Sequence, residues 1–390
     1  MEEIYFDNAA TSQPSSKVID KMIDILTKDY GNPSSLHLKG LEAERHIKNT
    51  SKIFSSILKV EEDEIIYTSG GTESNNLAII GTARSYQRRG KHIITSKIEH
   101  PSVYQVFNYL EEEGFEVSYI ENDSQGYIDL KQLKNEIRED TILVSIIHVN
   151  NEIGTIQPIS QIGEIIKTVN TNTIFHVDGV QSFGKMPITP KKWKVDLFSI
   201  SSHKFHGPKG VGALYKNKDV RLRPLLFGGG QQKGLRSGTE NVPAIVGLGA
   251  AAYEIYNELN ENRSHIYRLK NLLWEGISNN IEDVSINGPN IKEGSPHIIN
   301  ILFKDIKGEV LLHALEAKNI FVSTGSACSS NQPHPSDTLK SLGLTNEEIQ
   351  SSLRFSFSKY NTEDEVKKCI QELVNIIPML RRFKAGGRHK

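Results

Sequence analysis

Two ionisable side chains in this sequence, Lys204 and Asp178, come at the ends of short apolar runs. Lys204 follows LFSIS (197–201) and Asp178 ends IFHVD (174–178), and both runs are typical of buried strands. An amine that is partly desolvated at a strand end has a lowered pKa, which it needs in order to form a Schiff base. A carboxylate beside a pyridine nitrogen keeps that ring protonated, so the ring can accept electrons from a substrate. The pair favours a pyridoxal phosphate site, with a solvated loop lysine and a capping aspartate as the alternatives.

Another turn in the sequence suits the phosphate group of such a cofactor. SGGTESNN (69–76) enters a predicted helix, and its backbone amides, together with the Thr72 hydroxyl, can bind an anion. Ser201 and His203 lie close to the lysine in sequence and can reach the same phosphate. A Gly-Gly turn with a threonine cap is also common without any ligand, so the turn is informative only beside the other residues.

Two further residues after predicted strands fit the ring of the cofactor. Gln181 follows Asp178 by three positions and can donate a hydrogen bond to the phenolic oxygen of the ring. His100 supplies a flat ring for stacking and a titratable nitrogen for proton transfer. Together with Lys204 these side chains predict a site that does chemistry on an amino acid.

The two cysteines of the chain, Cys328 and Cys369, have different sequence contexts. With only two thiols and no ligand spacing, neither a disulfide-built fold nor a structural metal is expected. In EVKKCIQELVNII (365–377) the apolar residues repeat at helical spacing, and Cys369 occupies one of the repeating positions. This pattern predicts that Cys369 lies in the core. Cys328 lies in VSTGSACSSNQPHPS (322–336), whose composition predicts an exposed mobile loop. We interpret Cys328 as a thiol that enters the site and leaves it carrying sulfur, with an incidental surface thiol as the alternative.

The elements that must position these residues alternate along the chain. Apolar β-rich runs are separated by amphipathic helical segments, which implies a mostly parallel sheet covered on both faces. Ligands of such a sheet collect beyond the carboxyl ends of its strands, and five of the predicted strand ends carry polar segments. These segments are therefore expected to converge on one site. The predicted strands are Glu64–Thr68, His92–Ser96, Val117–Ile120, Leu143–His148, Ile174–Asp178 and Leu197–Ser201.

The pattern changes after about residue 255. A long helical segment, Tyr253–Glu275, leads into a shorter region with strand candidates at Ile298–Phe303, Ile320–Thr324 and Leu353–Ser356. We therefore predict an α/β protein of two domains. The large domain, residues 14–255, binds the cofactor, and a smaller α+β domain, residues 1–13 and 256–390, carries the Cys328 loop.

Charge and hydropathy limit the cellular setting. A net charge of -1 gives no global field for nucleic acid or an anionic membrane, so neither is expected as a direct partner. No apolar run approaches the roughly 20 residues that span a bilayer. The acidic start of the sequence lacks the basic and apolar regions of a secretory signal. We expect a cytoplasmic protein.

Short motifs spread over nearly the whole chain point to one known family. They are YFDNAAT (5–11), GNPSSLHLKG (31–40), TSGGTESNN (68–76), EHPSV (99–103), HVNNEIGTIQPI (148–159), HVDGVQS (176–182), SISSHKFHGPKGVGALY (199–215), GGGQQKGLRSGTENV (228–242), STGSACSS (323–330) and LRFS (353–356). With these motifs the chain resembles the NifS/IscS-like cysteine desulfurases of the class V aminotransferase family. The resemblance implies the aspartate-aminotransferase-like fold type I and the cofactor pyridoxal 5'-phosphate.

The resemblance also implies a role for each matching residue. For the cofactor ring it implies Lys204 as the Schiff-base lysine, Asp178 at the pyridinium, Gln181 at the ring hydroxyl and His100 stacked on the ring. For the phosphate it implies Gly71, Thr72, Ser201 and His203, joined by Thr239 of the neighbouring subunit, and hence a homodimer. For the substrate it implies Asn32, Asn151 and Arg354, with Asn151 also beside the cofactor. A guanidinium suits this position because it can bind a carboxylate through two hydrogen bonds.

The reaction implied by the resemblance removes sulfur from L-cysteine. Lys204, displaced from the cofactor by the substrate, shuttles the α-proton, and the Cys328 thiolate takes the substrate sulfur as a persulfide. L-Alanine is the other product, and the persulfide passes to an acceptor thiol by an exchange like thiol–disulfide transfer. The rival functions are a selenocysteine lyase, an aminotransferase on the same fold and a non-catalytic scaffold subunit. A Rossmann dehydrogenase is disfavoured, because Gly228–Gly230 lacks the required glycine spacing.

Two features depart from the family pattern. Gly179 stands where alanine is more frequent, and we expect no functional consequence because both residues are small. The C-terminal sequence LRRFKAGGRHK (380–390) follows the last predicted helix closely, without the longer tail by which some members dock an iron–sulfur scaffold. We therefore expect a tRNA-thiolating enzyme or another dedicated protein as the sulfur acceptor, with the iron–sulfur scaffold as the alternative.

Overall fold

A computed structural model describes residues 3–324 and 335–386 of the chain. Its strands are β1 (Ile4–Tyr5), β2 (Ile65–Thr68), β3 (His92–Ser96), β4 (Glu116–Ile120), β5 (Thr141–Ile147), β6 (Ile174–Asp178), β7 (Leu197–Ser201), β8 (Gly212–Lys216), β9 (Val284–Asn287), β10 (Ile298–Phe303), β11 (Ile320–Phe321), β12 (Ser323–Thr324) and β13 (Ser352–Ser356).

The helices alternate with these strands through most of the chain. They are α1 (Ser16–Thr27), α2 (Leu38–Leu58), α3 (Gly71–Tyr86), α4 (Pro101–Glu112), α5 (Leu130–Glu136), α6 (Ile159–Val169), α7 (Val242–Asn257), α8 (Leu259–Asn280), α9 (Gly308–Glu316), α10 (Asp337–Ser341), α11 (Asn346–Gln350) and α12 (Glu363–Gly386). Within the described ranges, none of them combines the length and hydrophobicity that crossing a bilayer requires.

A seven-stranded sheet in the order β2-β8-β7-β6-β5-β3-β4 forms the larger part of the fold. Neighbouring strands from β7 to β4 are parallel, whereas β8 is antiparallel to both β2 and β7. Every residue of β3, β5, β6 and β7 is buried, because helices cover both faces of the sheet. Since β2, β3, β5, β6 and β7 all run in one direction, the polar segments that follow them lie at the same edge.

The two faces of this sheet have separate cores. Successive strand residues point to opposite faces, so Ile93 belongs to the cluster beneath α3 and α4, while Ile94 belongs to the cluster beneath α6 and α7. Phe107 fills the first cluster and Ile162 the second. This double packing fixes the positions of the strand ends.

A second core lies towards the C-terminal end. Helices α8, α9 and α12 pack on a four-stranded antiparallel sheet in the order β12-β13-β10-β9. Cys369 is fully buried in this core, as predicted, and burial raises the pKa of its thiol. The N-terminal residues Ile4 and Phe6 belong to the same core, where β1 pairs with β11. On this basis we propose the domain division at residues 14–255 and at 1–13 with 256–390.

Candidate active site

The polar segments that follow the parallel strands line one cavity of about 260 Å³. The second core contributes Arg354 of β13 to its wall, and the N-terminal segment contributes Ala9 and Ala10. Most of the residues predicted for the site line this cavity: Gly71, Thr72, His100, Asn151, Asp178, Gln181, Ser201, His203, Lys204 and Arg354.

Lys204 ends a short 3₁₀ turn, Ser202–Lys204, that begins directly after β7. Its Nζ atom donates to the carbonyl oxygens of Ala9 and Ala10, each at 2.7 Å. The backbone of the N-terminal segment therefore holds the amine at the cavity.

Asp178, the last residue of β6, is 3% exposed and accepts two hydrogen bonds. The Val180 amide donates to Oδ1 at 3.0 Å, and Nδ2 of Asn75 donates to Oδ2 at 2.8 Å. The same Asn75 amide group lies 2.9 Å from Oγ of Ser102. Asn75 thus links Asp178 to the start of α4 and fixes the direction of the carboxylate.

His100 is the N-cap of α4, and its ring is held by Ser102. The Ser102 amide donates to Nδ1 at 3.1 Å, and the Ser102 hydroxyl lies 2.8 Å from the same atom. Nδ1 is therefore the acceptor, and in the neutral ring Nε2 carries the proton. Burial lowers the pKa of His100 and the nearby Lys204 lowers it further, against the opposing charge of Asp178. His100 is thus neutral at pH 7, with its N–H on Nε2.

Glu99, directly before His100, is a buried acid that was not among the predicted site residues. Its Oε1 atom accepts from Oγ of Ser96 at 2.5 Å and from the Ile147 amide at 2.9 Å. Burial, with a smaller contribution from Asp178, raises the pKa of Glu99 to about 8. The side chain is protonated at neutral pH and ties the ends of β3 and β5 together.

One end of the cavity is built to receive an anion. It lies at the N-terminus of α3, where the N-cap residue Gly70 has no side chain to accept from the amides of the first turn. A Cβ atom at Gly71 would lie 2.7 Å from Cγ2 of Val180, so only glycine allows this close approach. Burial lowers the pKa of His203 to about 4, so it joins Ser201 here as a neutral partner. These groups fit the phosphate of pyridoxal phosphate.

The opposite part of the wall carries Arg354. Its Nη1 atom donates to the carbonyl oxygen of Asn151 at 2.8 Å, and Nη2 donates to Oδ1 of Asp7 at 2.7 Å. Its Nε atom is buried and has no hydrogen-bond partner in the described part of the chain. This guanidinium is fixed by its neighbours, and a carboxylate that enters must compete with Asp7 for it.

Gln181 lies between the large sheet and the second core. Its Nε2 atom donates to the Ala9 carbonyl at 2.9 Å, and its Oε1 atom lies 3.2 Å from Nε2 of His297. Both side chains are buried. His297, which directly precedes β10, was not among the predicted site residues.

Two of the predicted residues, Asn32 and Thr239, are not part of this cavity wall. Asn32 is exposed, and its side chain accepts from the Ser34 amide at 3.0 Å. Thr239, predicted to act on the neighbouring subunit, is also exposed. Cys328 lies outside the described residues.

Several residues that were not predicted for the site form hydrogen bonds to predicted site residues. Asn75 and Ser102 fall inside quoted motifs and could have been suspected from their polarity alone. Asp7 lies within YFDNAAT, but its partner Arg354 is 347 positions away, so no local signal connects them. His297 lies outside all of the quoted motifs.

Comparison with known proteins places the chain among characterised sequences and structures. The family model described as aminotransferase class-V matches residues 4–369. The cysteine desulfurase IscS of Buchnera aphidicola subsp. Acyrthosiphon pisum (strain 5A) is 45% identical over 395 residues, covering 98% of this chain and 96% of that protein. A solved NifS-like protein has a TM-score of 0.92 at 39% identity, covering 97% of this chain and all of that one. A structure of SspA in complex with cysteine has a TM-score of 0.77 at 33% identity, covering 92% of this chain and 100% of that one.

Proposed function

This chain belongs to the aminotransferase class-V family and is a pyridoxal-phosphate-dependent cysteine desulfurase of fold type I, and we propose that the cavity around Lys204 is its active site. The observation that carries the proposal is the convergence of an amine, a buried carboxylate and a neutral imidazole beside a helix N-terminus. Lys204, Asp178 and His100 are the three side chains concerned.

Each group in the cavity matches one part of the cofactor. Pyridoxal phosphate, when bound, supplies an electron sink that makes the bonds around the α-carbon of the substrate easier to break. Asp178 is aligned by Asn75 and Val180 to hold the ring nitrogen in its protonated form. The α3 N-terminus with Ser201 and His203 holds the phosphate.

Lys204 and His100 have different roles in the proposed reaction. Lys204 accepts the α-proton of the substrate at Nζ, for which Ala9 and Ala10 hold the side chain in place. His100 would cover the ring and can donate a hydrogen bond from Nε2–H, since Ser102 occupies Nδ1. Because its pKa is lowered, His100 stays neutral at neutral pH and keeps this N–H as a hydrogen-bond donor.

Arg354 is the proposed anchor for the carboxylate of L-cysteine, together with Asn151 and the exposed Asn32. Its Nη1 and Nη2 atoms are already oriented by Asn151 and Asp7. A substrate carboxylate that displaces Asp7 gains a charge-assisted pair with a side chain whose direction is fixed in advance. This exchange favours amino acids over amines that lack the carboxylate.

Cys328 is the proposed sulfur acceptor within the chain. The described residues on either side of its segment are anchored beside the cavity: Ser323 pairs with Arg354 across the sheet, and Oγ of Ser336 donates to Glu152, next to Asn151, at 2.5 Å. The thiolate attacks the sulfur of cysteine, the carbon–sulfur bond breaks, and its electron pair stays with carbon. Protonation of that carbon gives L-alanine, and Cys328 keeps the sulfur as a persulfide.

The experiment that tests this function measures alanine formation from L-cysteine and locates the persulfide by mass spectrometry. We expect sulfur on Cys328, and we expect Cys328→Ser to abolish persulfide and sulfide release while the bound cofactor keeps its absorbance. Cys369→Ala is the matched control and should keep full turnover, because Cys369 is buried in the second core. Undiminished turnover in Cys328→Ser would refute the assignment.

We further propose a homodimer in which Thr239 reaches the phosphate end of the partner's cavity. Large apolar side chains are exposed in two segments, at Tyr30, Leu36, Leu38 and Phe227. These segments meet in space, since Pro33 and Glu240 line the same surface pocket. Such a concentration is typical of a protein interface. The particle mass in solution should then be twice 43.7 kDa.

Mixed dimers test whether the site is shared. We combine Lys204→Ala in one chain with Thr239→Arg in the other, and compare them with wild type paired with the double variant. A shared site leaves one intact cavity in the first pairing and none in the second. If Thr239 serves its own chain, the pattern of activity is reversed.

The sulfur acceptor that we propose is a protein thiol on a tRNA-thiolating enzyme, with an iron–sulfur scaffold as the competing recipient. Transfer of labelled sulfur from the loaded protein to each purified candidate distinguishes them, and transfer to the scaffold alone would contradict our preference. We also propose a cytoplasmic location, because a reducing compartment keeps the Cys328 thiol free to attack sulfur instead of leaving it in a disulfide.

A further inference from the structure

We propose that His297 is a positioning residue that fixes which end of the Gln181 amide faces the cofactor ring. The inference rests on the proposed placement of the ring hydroxyl beside Gln181. His297 belongs to the C-terminal part of the chain, whereas Gln181 follows β6 of the large sheet, so the contact spans 116 positions of sequence.

The orientation of Gln181 follows from its two neighbours. The Ala9 carbonyl can only accept, so the nitrogen end of the amide faces it at 2.9 Å. The oxygen end then faces His297, which must donate from Nε2 across 3.2 Å. An amide nitrogen carries two N–H bonds and Ala9 takes one, so the second remains for a partner in the cavity that Gln181 lines.

His297 has the protonation state that this arrangement needs. Burial holds the pKa of His297 well below its usual range, and positive charges around it act in the same direction. These charges belong to Lys185, Lys270, Arg354 and Lys204. A neutral imidazole with its proton on Nε2 is the tautomer that donates to Gln181, while Nδ1 is buried without a partner among the residues described. The ring is 1% exposed, so water cannot take over its role.

The backbone around His297 keeps the ring in place. Its carbonyl oxygen accepts from the Phe357 amide at 2.9 Å, just beyond β13. Two residues earlier, the Ser295 amide donates to the Gly154 carbonyl at 2.7 Å, in the turn that carries Asn151. The backbone that carries the imidazole is therefore attached to both parts of the cavity wall.

The orientation of Gln181 matters because the ring hydroxyl of the cofactor is ionised in its reactive form. An amide N–H stabilises a negatively charged oxygen, whereas an amide carbonyl repels it. Without His297 the amide can turn over, and the negative charge on the ring oxygen loses its donor. The bound cofactor should then hold its proton to a higher pH.

The test compares variants of the holoenzyme by titrating the visible absorbance of the bound cofactor between about pH 6 and 10. His297→Phe keeps a buried ring but removes the donor, and we expect the midpoint of the colour change to rise by about one pH unit. His297→Gln places an amide N–H where the ring Nε2–H was, and it should restore the wild-type midpoint. His297→Leu replaces His297→Phe if the latter does not fold.

A double variant separates positioning from a general structural effect. Gln181→Ala should raise the midpoint by itself, and adding His297→Phe should change it no further, because the residue through which His297 acts is gone. Additive shifts in the double variant, or an unchanged midpoint in His297→Phe, would overturn the inference. Failure of the wild-type protein to show a cofactor band, or to form alanine, would instead refute the proposed function.

Discussion

Gly71 is the first residue of α3, and the substitution Gly71→Ala tests the proposed phosphate site most directly because it adds a single methyl group there. A Cβ atom there lies 2.7 Å from Cγ2 of Val180 and 3.4 Å from Cβ of Ser201, and ordinary contact begins only at 3.4 Å. Both neighbours lie on segments fixed by buried strands. The start of the helix must therefore shift in Gly71→Ala, or Val180 must move within the cavity wall.

The expected effect falls on the cofactor more than on the fold. Overpacking costs about 1–3 kcal/mol of folding free energy, and alanine in place of glycine in a helix returns up to about 1 kcal/mol. Loss of one amide hydrogen bond to the charged phosphate costs about 1.5–3 kcal/mol of binding free energy. That corresponds to a roughly tenfold to hundredfold increase in the Kd of pyridoxal phosphate.

The assay is a titration of the apoprotein with pyridoxal phosphate, with the melting temperature of the apoprotein as the control for folding. Val180→Ala removes the Cγ2 atom that the new methyl group meets, so Val180→Ala with Gly71→Ala should recover most of the lost affinity. Val180→Ala alone is the matched control. Wild-type affinity in Gly71→Ala, or no recovery in the double variant, would show that the helix start does not hold the phosphate.

Three more changes probe charges in and around the site. Because the pKa of Glu99 is raised from 4.5 to about 8, the native state binds one more proton than the unfolded chain between these pH values. The free energy of unfolding therefore falls as the pH rises through this window. Glu99→Gln should remove the corresponding fall in melting temperature. Burial lowers the pKa of Lys270 to about 7 from 10.5, so the unfolded chain binds more protons above pH 7. Lys270→Met should remove a rise in stability between about pH 7 and 10.5, measured by the same melting curves. Arg354→Lys keeps the charge but loses the bidentate fork, and the KM for L-cysteine should rise at least about tenfold with the cofactor absorbance unchanged. An unchanged KM would remove Arg354 from the substrate site.

Hydrophobic runs predicted most of the large sheet, because strands covered on both faces need continuous apolar residues. His92–Ser96, Ile174–Asp178 and Leu197–Ser201 have the predicted bounds. The strand predicted at Leu143–His148 instead covers Thr141–Ile147, and just beyond it Val149 pairs with Ile156. The antiparallel strand Gly212–Lys216 was not predicted, because it follows a glycine-rich turn with no helix between it and β7.

The site residues that could be predicted from the sequence are those that lie at the ends of strands. Lys204 and Asp178 lie at strand ends that topology brings together, and their chemistry is recognisable from residue type. Asn75 and His297 were not found, since each acts through a neighbour distant in sequence. Their partners are set by packing between elements, which no local pattern encodes.

The packing shows that glycine and alanine are not interchangeable at position 179, although both residues are small. A Cβ atom at this position would lie 2.0 Å from Cζ of Phe198, a fully buried residue of β7. An alanine here would require the ring of Phe198 to move. Glycine at 179 and phenylalanine at 198 therefore form a matched pair, and the two must be exchanged together.

The contacts of the N-terminal segment determine when the cavity can be completed during synthesis of the chain. Residues 4–6 pair with and pack against strands near the far end of the chain, and Ala9 and Ala10 hold Lys204. The Ser356 amide donates to the Phe6 carbonyl, so the segment has no complete docking place until β13 has been synthesised. The large sheet can form while the ribosome is still working, but the cavity stays open on one side until the chain is nearly finished. Loading of the cofactor into its final site is then an event that follows translation.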